Sequence, residues 1–349
     1  MRRVAVVMVV VVAAVLMVRL ARLERTGPPH ADITIGDGIP ATFYVPGDID
    51  RDFQDLPSPS RRRPPVVVLA HGFAVDRSIM SPFARSLVAH GYAVLAFDWR
   101  GHGENRNAFH NGSDELLADL DAAVDYAEAS DLVDPDRIVV MGHSMGAYGV
   151  LEFASRDPRP EAVVPLSGDA PMTGPRTPRN VAFILAEDDP SGIHEGVDDA
   201  VDRLGGERAD RRDFSRGVAV DRTVIEGVDH ATILYSGDAI NAAIRWMDQS
   251  LGIDRDAVHG RVDPRVRVAA LYFLVLLVAL GLLGRLLGRF TPTAAAPERA
   301  GAWRGLGILA AGLVAAVPLA AGAAPAGFLS LVAGRPWRGI SAWRPASSS

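Results

Sequence analysis

Residues 137–155 constrain this chain more than any other stretch. Arg137-Ile138-Val139-Val140-Met141 reads as a short buried strand, Gly142-His143-Ser144-Met145-Gly146 follows without a spacer, and Ala147 to Ser155 carries helical periodicity. A strand that becomes a helix within five residues must fold back sharply. Neighbouring backbone then comes close, and Gly142 and Gly146 leave room where a side chain would clash. The turn presents Ser144, and the helix start behind it favours developing negative charge. The five residues alone arise by chance in about one chain in ten of this length. The strand before them and the helix after them carry the inference that Ser144 is a nucleophile.

Two upstream blocks have the same form. Val66-Val67-Val68-Leu69-Ala70 is a β-branched strand that runs into His71-Gly72-Phe73. An acyl-transfer site built on Ser144 needs two backbone N–H groups for the oxyanion. One should come from the residue after the nucleophile, Met145, and the other from an earlier strand-to-helix loop, where Phe73 is the best candidate and Ala74 the second. His71 fits a buttress of that loop better than a reacting group. Tyr92–Phe97 is another strand, leading into Asp98-Trp99-Arg100-Gly101-His102-Gly103, where Asp98 and Arg100 are expected to hydrogen-bond loop backbone and His102 to be structural.

With H-G-F, D-x-R-G-H-G and G-H-S-M-G in chain order, the sequence resembles the α/β-hydrolase superfamily, closest to lipase- and esterase-like members, over about residues 31–252. The resemblance implies an α/β fold with a doubly wound, mostly parallel sheet and a triad in the order serine, acid, histidine. Alternation of strands and helices over the same residues independently favours a parallel sheet covered on both faces. The expected elements include an early hairpin (Ile33–Ile35, Thr42–Val45), a loop over 46–65 holding Arg61-Arg62-Arg63, and strands at Ala162–Ser167, Asn180–Ala186 and Arg222–Glu226.

The acid follows the strand Asn180–Ala186. The family's G-x-x-D turn matches Ala186-Glu187-Asp188-Asp189, with Ala186 in place of glycine, so Asp189 is preferred. Asp188 is the neighbouring alternative, and Asp169, after the preceding strand, is a third. The base is His230, which ends Gly227-Val228-Asp229-His230 after the last strand; His194 sits in a polar loop and His259 near an apolar segment. In that reading His230 takes the Ser144 proton, Asp189 fixes the imidazole tautomer, and the Phe73 and Met145 N–H groups hold the oxyanion. No metal or organic cofactor is required, and no H-E-x-x-H or cysteine cluster occurs.

Composition removes other chemistries. The chain has 349 residues and no cysteine, so disulfides, thiolate nucleophiles and thiolate metal sites are excluded. It has no lysine either, which excludes Schiff bases, Ser-Lys dyads and lysine phosphate loops. A net charge of −6 with no basic block argues against a nucleic-acid partner.

A mean hydropathy of +0.14 is high for a soluble enzyme. Val4–Val18 is wholly apolar between Arg2-Arg3 and Arg19-Arg22, and reads as an uncleaved signal anchor, with a cleaved signal peptide as its rival. Val268–Gly284 and residues 306–333 are further membrane candidates. The expected organisation is therefore a transmembrane anchor over 1–25, the hydrolase domain over 26–256 and a membrane region over 257–349. For an integral membrane protein of this kind the arginine count around the apolar segments favours a cytoplasmic domain, whereas the short basic start favours an extracytoplasmic one, the side preferred here.

Gly168–Asn180 is short and proline-rich, leaving no room for a lid domain, so an open site is expected. Proximity to a bilayer suits a small-molecule or lipid-like acyl substrate, and the first reading is a carboxylic-ester hydrolase. The alternatives are peptidase, amidase or acyltransferase chemistry on the same triad, and a non-catalytic membrane scaffold.

Overall fold

Every residue of Val66–Ala70 is fully buried, and these five residues form the middle of an eight-stranded sheet. In the computed structural model, which describes residues 2–25, 27–46, 63–110, 112–205, 213–254 and 264–287, the strands are β1 (His30–Ile35), β2 (Ile39–Tyr44), β3 (Val66–Ala70), β4 (Ala93–Phe97), β5 (Ile138–His143), β6 (Pro160–Leu166), β7 (Val181–Asp188) and β8 (Val220–Asp229). Their order across the sheet is β1-β2-β4-β3-β5-β6-β7-β8. The hairpin β1–β2 is antiparallel, β2 runs antiparallel to β4, and all remaining pairs are parallel. This is the expected mostly parallel arrangement, and the central strands are continuous apolar runs because both faces are covered.

Alternation along each strand sends residues to opposite faces. Val66, Val68 and Ala70 join a core with the helices α3 (Ser113–Ala129), α4 (Met145–Ala154) and α5 (Ser191–Leu204). Val67 and Leu69 join the other core, with α2 (Ser81–Ala89) and α6 (Gly237–Ser250). Each fully buried Val or Leu stabilises the fold by about 1.5–3 kcal/mol. The last strand extends beyond the expected Arg222–Glu226 to Asp229, so His230 is the first residue past its end. Residues 167–180, between β6 and β7, form no helix.

Two further helices, α1 (Arg2–Arg25) and α7 (Pro264–Leu287), pack on each other. The expectation that they span a membrane is corrected: among the described residues no helix is long and apolar enough to cross one. Their uninterrupted apolar runs, Val4–Val18 and Val268–Gly284, are bounded by arginines. At 1.5 Å per residue they rise only about 22 and 26 Å, short of a hydrocarbon core of about 30 Å. The chain divides into two units, Met1–Ala294 and Ala295–Ser349. The stretch 306–333 belongs to the second and lies outside the described residues, as do Arg61 and Arg62.

Candidate active site

Ser144 stands between β5 and α4 with φ +54° and ψ −115°, a conformation that side-chain-bearing residues rarely adopt. The surroundings impose it. A Cβ on Gly142 would lie 2.3 Å from the Gly146 carbonyl oxygen, and one on Gly146 would lie 2.5 Å from the Ala70 carbonyl oxygen. The turn is thus jammed against itself and against the end of β3, and only glycine fits on either side. Backbone strain of this kind costs about 1–3 kcal/mol and persists only where the fold over-determines it.

His230 reaches this serine from the loop after β8, three strands along the sheet from β5. Its Nε2 is 3.0 Å from Ser144 Oγ, and its Nδ1 is 2.7 Å from Asp189 Oδ1. A carboxylate can only accept, so Nδ1 carries the proton and Nε2 is left as the acceptor for the serine hydroxyl. The imidazole is about one-third exposed, whereas the Asp189 side chain is fully buried. Burial alone would raise the Asp189 carboxyl, but hydrogen bonds from His230 and the Ala186 N–H outweigh it and hold the group below its ordinary range. The Ala186 N–H bond to Oδ2 measures 2.8 Å and closes the turn that carries the acid.

The His230 loop is fixed locally by Asp229, whose Oδ1 accepts the Thr232 N–H at 2.8 Å and the Ala231 N–H at 3.0 Å.

The structure therefore brings together Ser144, Asp189 and His230, and separates them from the alternative acids. Asp188, the last residue of β7, is exposed and makes no bond to His230. Asp169 lies against Gly196 of α5, where burial raises its carboxyl.

The loop proposed to supply an oxyanion donor lies beside the serine: a Cβ on Gly72 would sit 3.3 Å from Ser144 Cβ. Phe73 is the next residue, and its ring is exposed. Met145 opens α4 directly after Ser144. His71 acts as the expected buttress. It is fully buried, its Nδ1 donates to the Gly72 carbonyl at 2.7 Å, its Nε2 accepts the Trp99 N–H at 3.1 Å, and the Trp99 indole N–H donates back to the His71 carbonyl at 2.9 Å. Burial lowers its pKa to about 3, so it stays neutral.

His102 donates to the Arg100 carbonyl at 2.9 Å and packs edge-on against Phe73, a structural role as expected. Asp98 accepts the backbone N–H groups of Arg77 and Glu104, which fits the expectation for it. Arg100 departs from it: its guanidinium forks onto Asp119 of α3 at 2.7 and 3.0 Å, tying the loop to a helix.

One residue at the site carried no sequence signal beyond filling a variable position of G-x-S-x-G. His143, the last residue of β5, is buried, and its Nε2 lies 2.8 Å from the backbone carbonyl of His230. Burial lowers its pKa to about 4. Its partner is a main-chain atom 87 positions away, and nothing local in the sequence announces such a bond.

Residues 62–187 match the family model described as "Serine aminopeptidase, S33". The segment holds Phe73, Ser144 and Met145 and stops short of Asp189 and His230. Among curated proteins, the chain is 39% identical over 103 residues to "Quorum-quenching protein AidA" of Acinetobacter baumannii, covering 29% of this chain and 34% of that protein. It is 32% identical over 107 residues to "Cutinase est2" of Thermobifida alba, covering 29% and 33%. The matched segments thus span about a third of the length of these relatives. Among solved structures, a puromycin-hydrolyzing peptidase of Mycobacterium tuberculosis superposes with a TM-score of 0.50 at 17% identity, over 66% of this chain and 40% of that one, a likeness of fold. Sheet order gives the chain the α/β-hydrolase fold, and the segment 62–187 and the relatives it matches are similar to hydrolases, which supports an enzyme.

Proposed function

We propose that the protein hydrolyses a carboxylic ester through an acyl-enzyme on Ser144. The observation that carries this reading is the unbroken chain Ser144 Oγ, His230 Nε2, His230 Nδ1, Asp189 Oδ1, with both links at hydrogen-bond length. In this mechanism His230 accepts the serine proton as Oγ attacks the ester carbonyl carbon. The tetrahedral oxyanion is held by the N–H groups of Met145 and Phe73, at the start of α4. The proton on His230 passes to the departing alcohol. Water then attacks the acyl-enzyme with His230 again as base, releasing the acid and restoring Ser144. Asp189 keeps the imidazole in the required tautomer and stabilises its charged form.

Esters are favoured over peptides by the open surroundings. No helix crosses above the site between β6 and β7 among the described residues, the His230 edge is solvent-facing, and the exposed Phe73 ring offers an apolar wall for a small acyl group. The name of the cutinase relative points the same way. Peptidase, amidase or acyltransferase chemistry would share the acyl-enzyme and differ only in the groups that enter and leave. Purified full-length protein should cleave p-nitrophenyl acetate and butyrate and take up a fluorophosphonate probe on Ser144. Absence of labelling, or labelling that survives Ser144→Ala, would overturn the reading.

The enzyme is further proposed to work attached to a lipid surface without spanning it. Val11, Val12, Val15, Met17 and Val18 of α1 and Leu271, Phe273, Leu274 and Val278 of α7 are exposed apolar side chains on two helices that pack together. Such a face favours an interface between water and lipid. Labelling of intact cells with membrane-impermeant and permeant fluorophosphonates would test attachment and an extracytoplasmic position together.

A further inference from the structure

Three hydrogen-bonding atoms of His230 are engaged in the site, and the third is not on its ring. The ring nitrogens hold Ser144 and Asp189, while the backbone carbonyl is held by His143, the residue covalently attached to the nucleophile. We propose that His143 is a positioning residue for catalysis: through the bond from its Nε2–H to the His230 carbonyl it locks the loop of the base onto the strand that carries the serine, and so sets the distance from Nε2 to Oγ. This inference rests on the assignment of Ser144, Asp189 and His230 to the reaction.

The geometry leaves His143 little freedom to do anything else. A carbonyl only accepts, so the proton sits on Nε2 and Nδ1 is bare. That Nδ1 is buried with no hydrogen-bond partner and is 3.0 Å from where a Gly72 Cβ would be, so the ring is wedged between the oxyanion loop and the loop of the base. Its ring centroid lies 4.9 Å from that of His230. The charged and titratable groups facing it are His230 and Asp189, and burial keeps His143 neutral beside them. Two other restraints act on the same loop, the Asp229 turn and the Asp189 bond, but neither refers the base to β5. His143 does so directly. A displacement of about 1 Å between reacting groups can cost on the order of 100-fold in rate.

The test uses the full chain and p-nitrophenyl acetate, with kcat expressed per site titrated to completion by fluorophosphonate. His143→Phe keeps the ring volume and removes the donor. His143→Gln keeps a donor that can reach the carbonyl, and His143→Asn keeps one that cannot. The expected result is a 10- to 100-fold lower kcat for Phe and Asn, little change in KM, and recovery for Gln to at least five times the Asn value. Should His143→Phe not fold, the comparison of Gln with Asn decides. Equal kcat for Gln and Asn, or a kcat for Phe within twofold of the parent, would overturn the positioning role. Either outcome leaves the esterase assignment standing so long as Ser144→Ala abolishes turnover. Loss of that dependence would instead remove the assignment itself.

Discussion

His230 Nδ1 and Asp189 Oδ1 stand 2.7 Å apart, and Asp188, one residue earlier, faces solvent. Two adjacent carboxylates at the end of one strand therefore have different fates. Asp189→Asn should lower kcat/KM for p-nitrophenyl esters by about three to four orders of magnitude, because an amide in that place no longer fixes the tautomer of the base. Asp188→Asn should leave it within about twofold, as expected for an exposed group without a partner in the site. Steady-state kinetics of the two variants side by side checks both.

The positive φ of Ser144 stores strain that the fold supports and that glycine would release. Ser144→Gly should be more stable than Ser144→Ala by about 1 kcal/mol, the relief of the Cβ clash being offset in part by the greater freedom of unfolded glycine. Both should be inactive. Thermal denaturation of the two variants measures the difference.

Gly146→Ala should damage both stability and activity, since the added Cβ would lie 2.5 Å from the Ala70 carbonyl oxygen and 2.8 Å from that of His71. Backbone atoms on both sides cannot rotate away, so α4 must shift. A destabilisation of about 2–4 kcal/mol is expected, with loss of most esterase activity. Denaturant unfolding alongside a p-nitrophenyl acetate assay tests the pair of effects.

Stability should fall with acid over a defined window. Burial lowers His143 to about 4 and His71 to about 3, while an unfolded histidine titrates near 6.5. Below about 6.5 the unfolded chain binds protons that the folded chain refuses, so this stability is complete above that pH and is lost as pH falls towards 4 and below. His143 contributes on the order of 3 kcal/mol across the window. The lowered carboxyl of Asp189 acts in the same direction at lower pH: its contribution is present above the ordinary carboxylate range and is lost as pH falls through its own value. Melting temperatures between pH 7 and 4 should drop steeply in the parent and less steeply in His143→Gln.

Removing His71 should loosen the oxyanion loop. In His71→Phe the Trp99 N–H loses its acceptor and the Gly72 carbonyl loses its donor, both in the buried interior. Each unsatisfied group costs about 1–3 kcal/mol. The variant should be destabilised by several kcal/mol and should label more slowly with a fluorophosphonate, which stopped-time labelling would reveal.

Much of this site was legible because its parts are local. The strand Ile138–Met141 and the glycines around Ser144 are written in one short stretch whose spacing reports the turn that it must form, whereas the order serine, acid, histidine is what the resemblance to α/β-hydrolases implied. The central strands were equally plain, since β3, β4 and β5 are buried on both faces and show it as continuous apolar runs. The pairing of Arg100 with Asp119 and the bond from His143 to the His230 carbonyl were not legible. Each joins groups far apart in the chain, and in the second the partner is a main-chain atom that any residue would supply.

The sequence by itself determined the strand-turn-helix at Ser144, the parallel sheet that must surround it, and the short list of acids and bases that could serve it. The sequence preferred Asp189 but left Asp188 and Asp169 open; the tertiary structure sets Asp189 alone of the three against His230, and only it revealed the bond from His143 to the carbonyl of the base. The reason is physical. The ends of β5, β7 and β8 meet because parallel strands deliver their C-terminal loops to one edge of the sheet. Which side chain in those loops faces inward is decided by packing and hydrogen bonds across that edge.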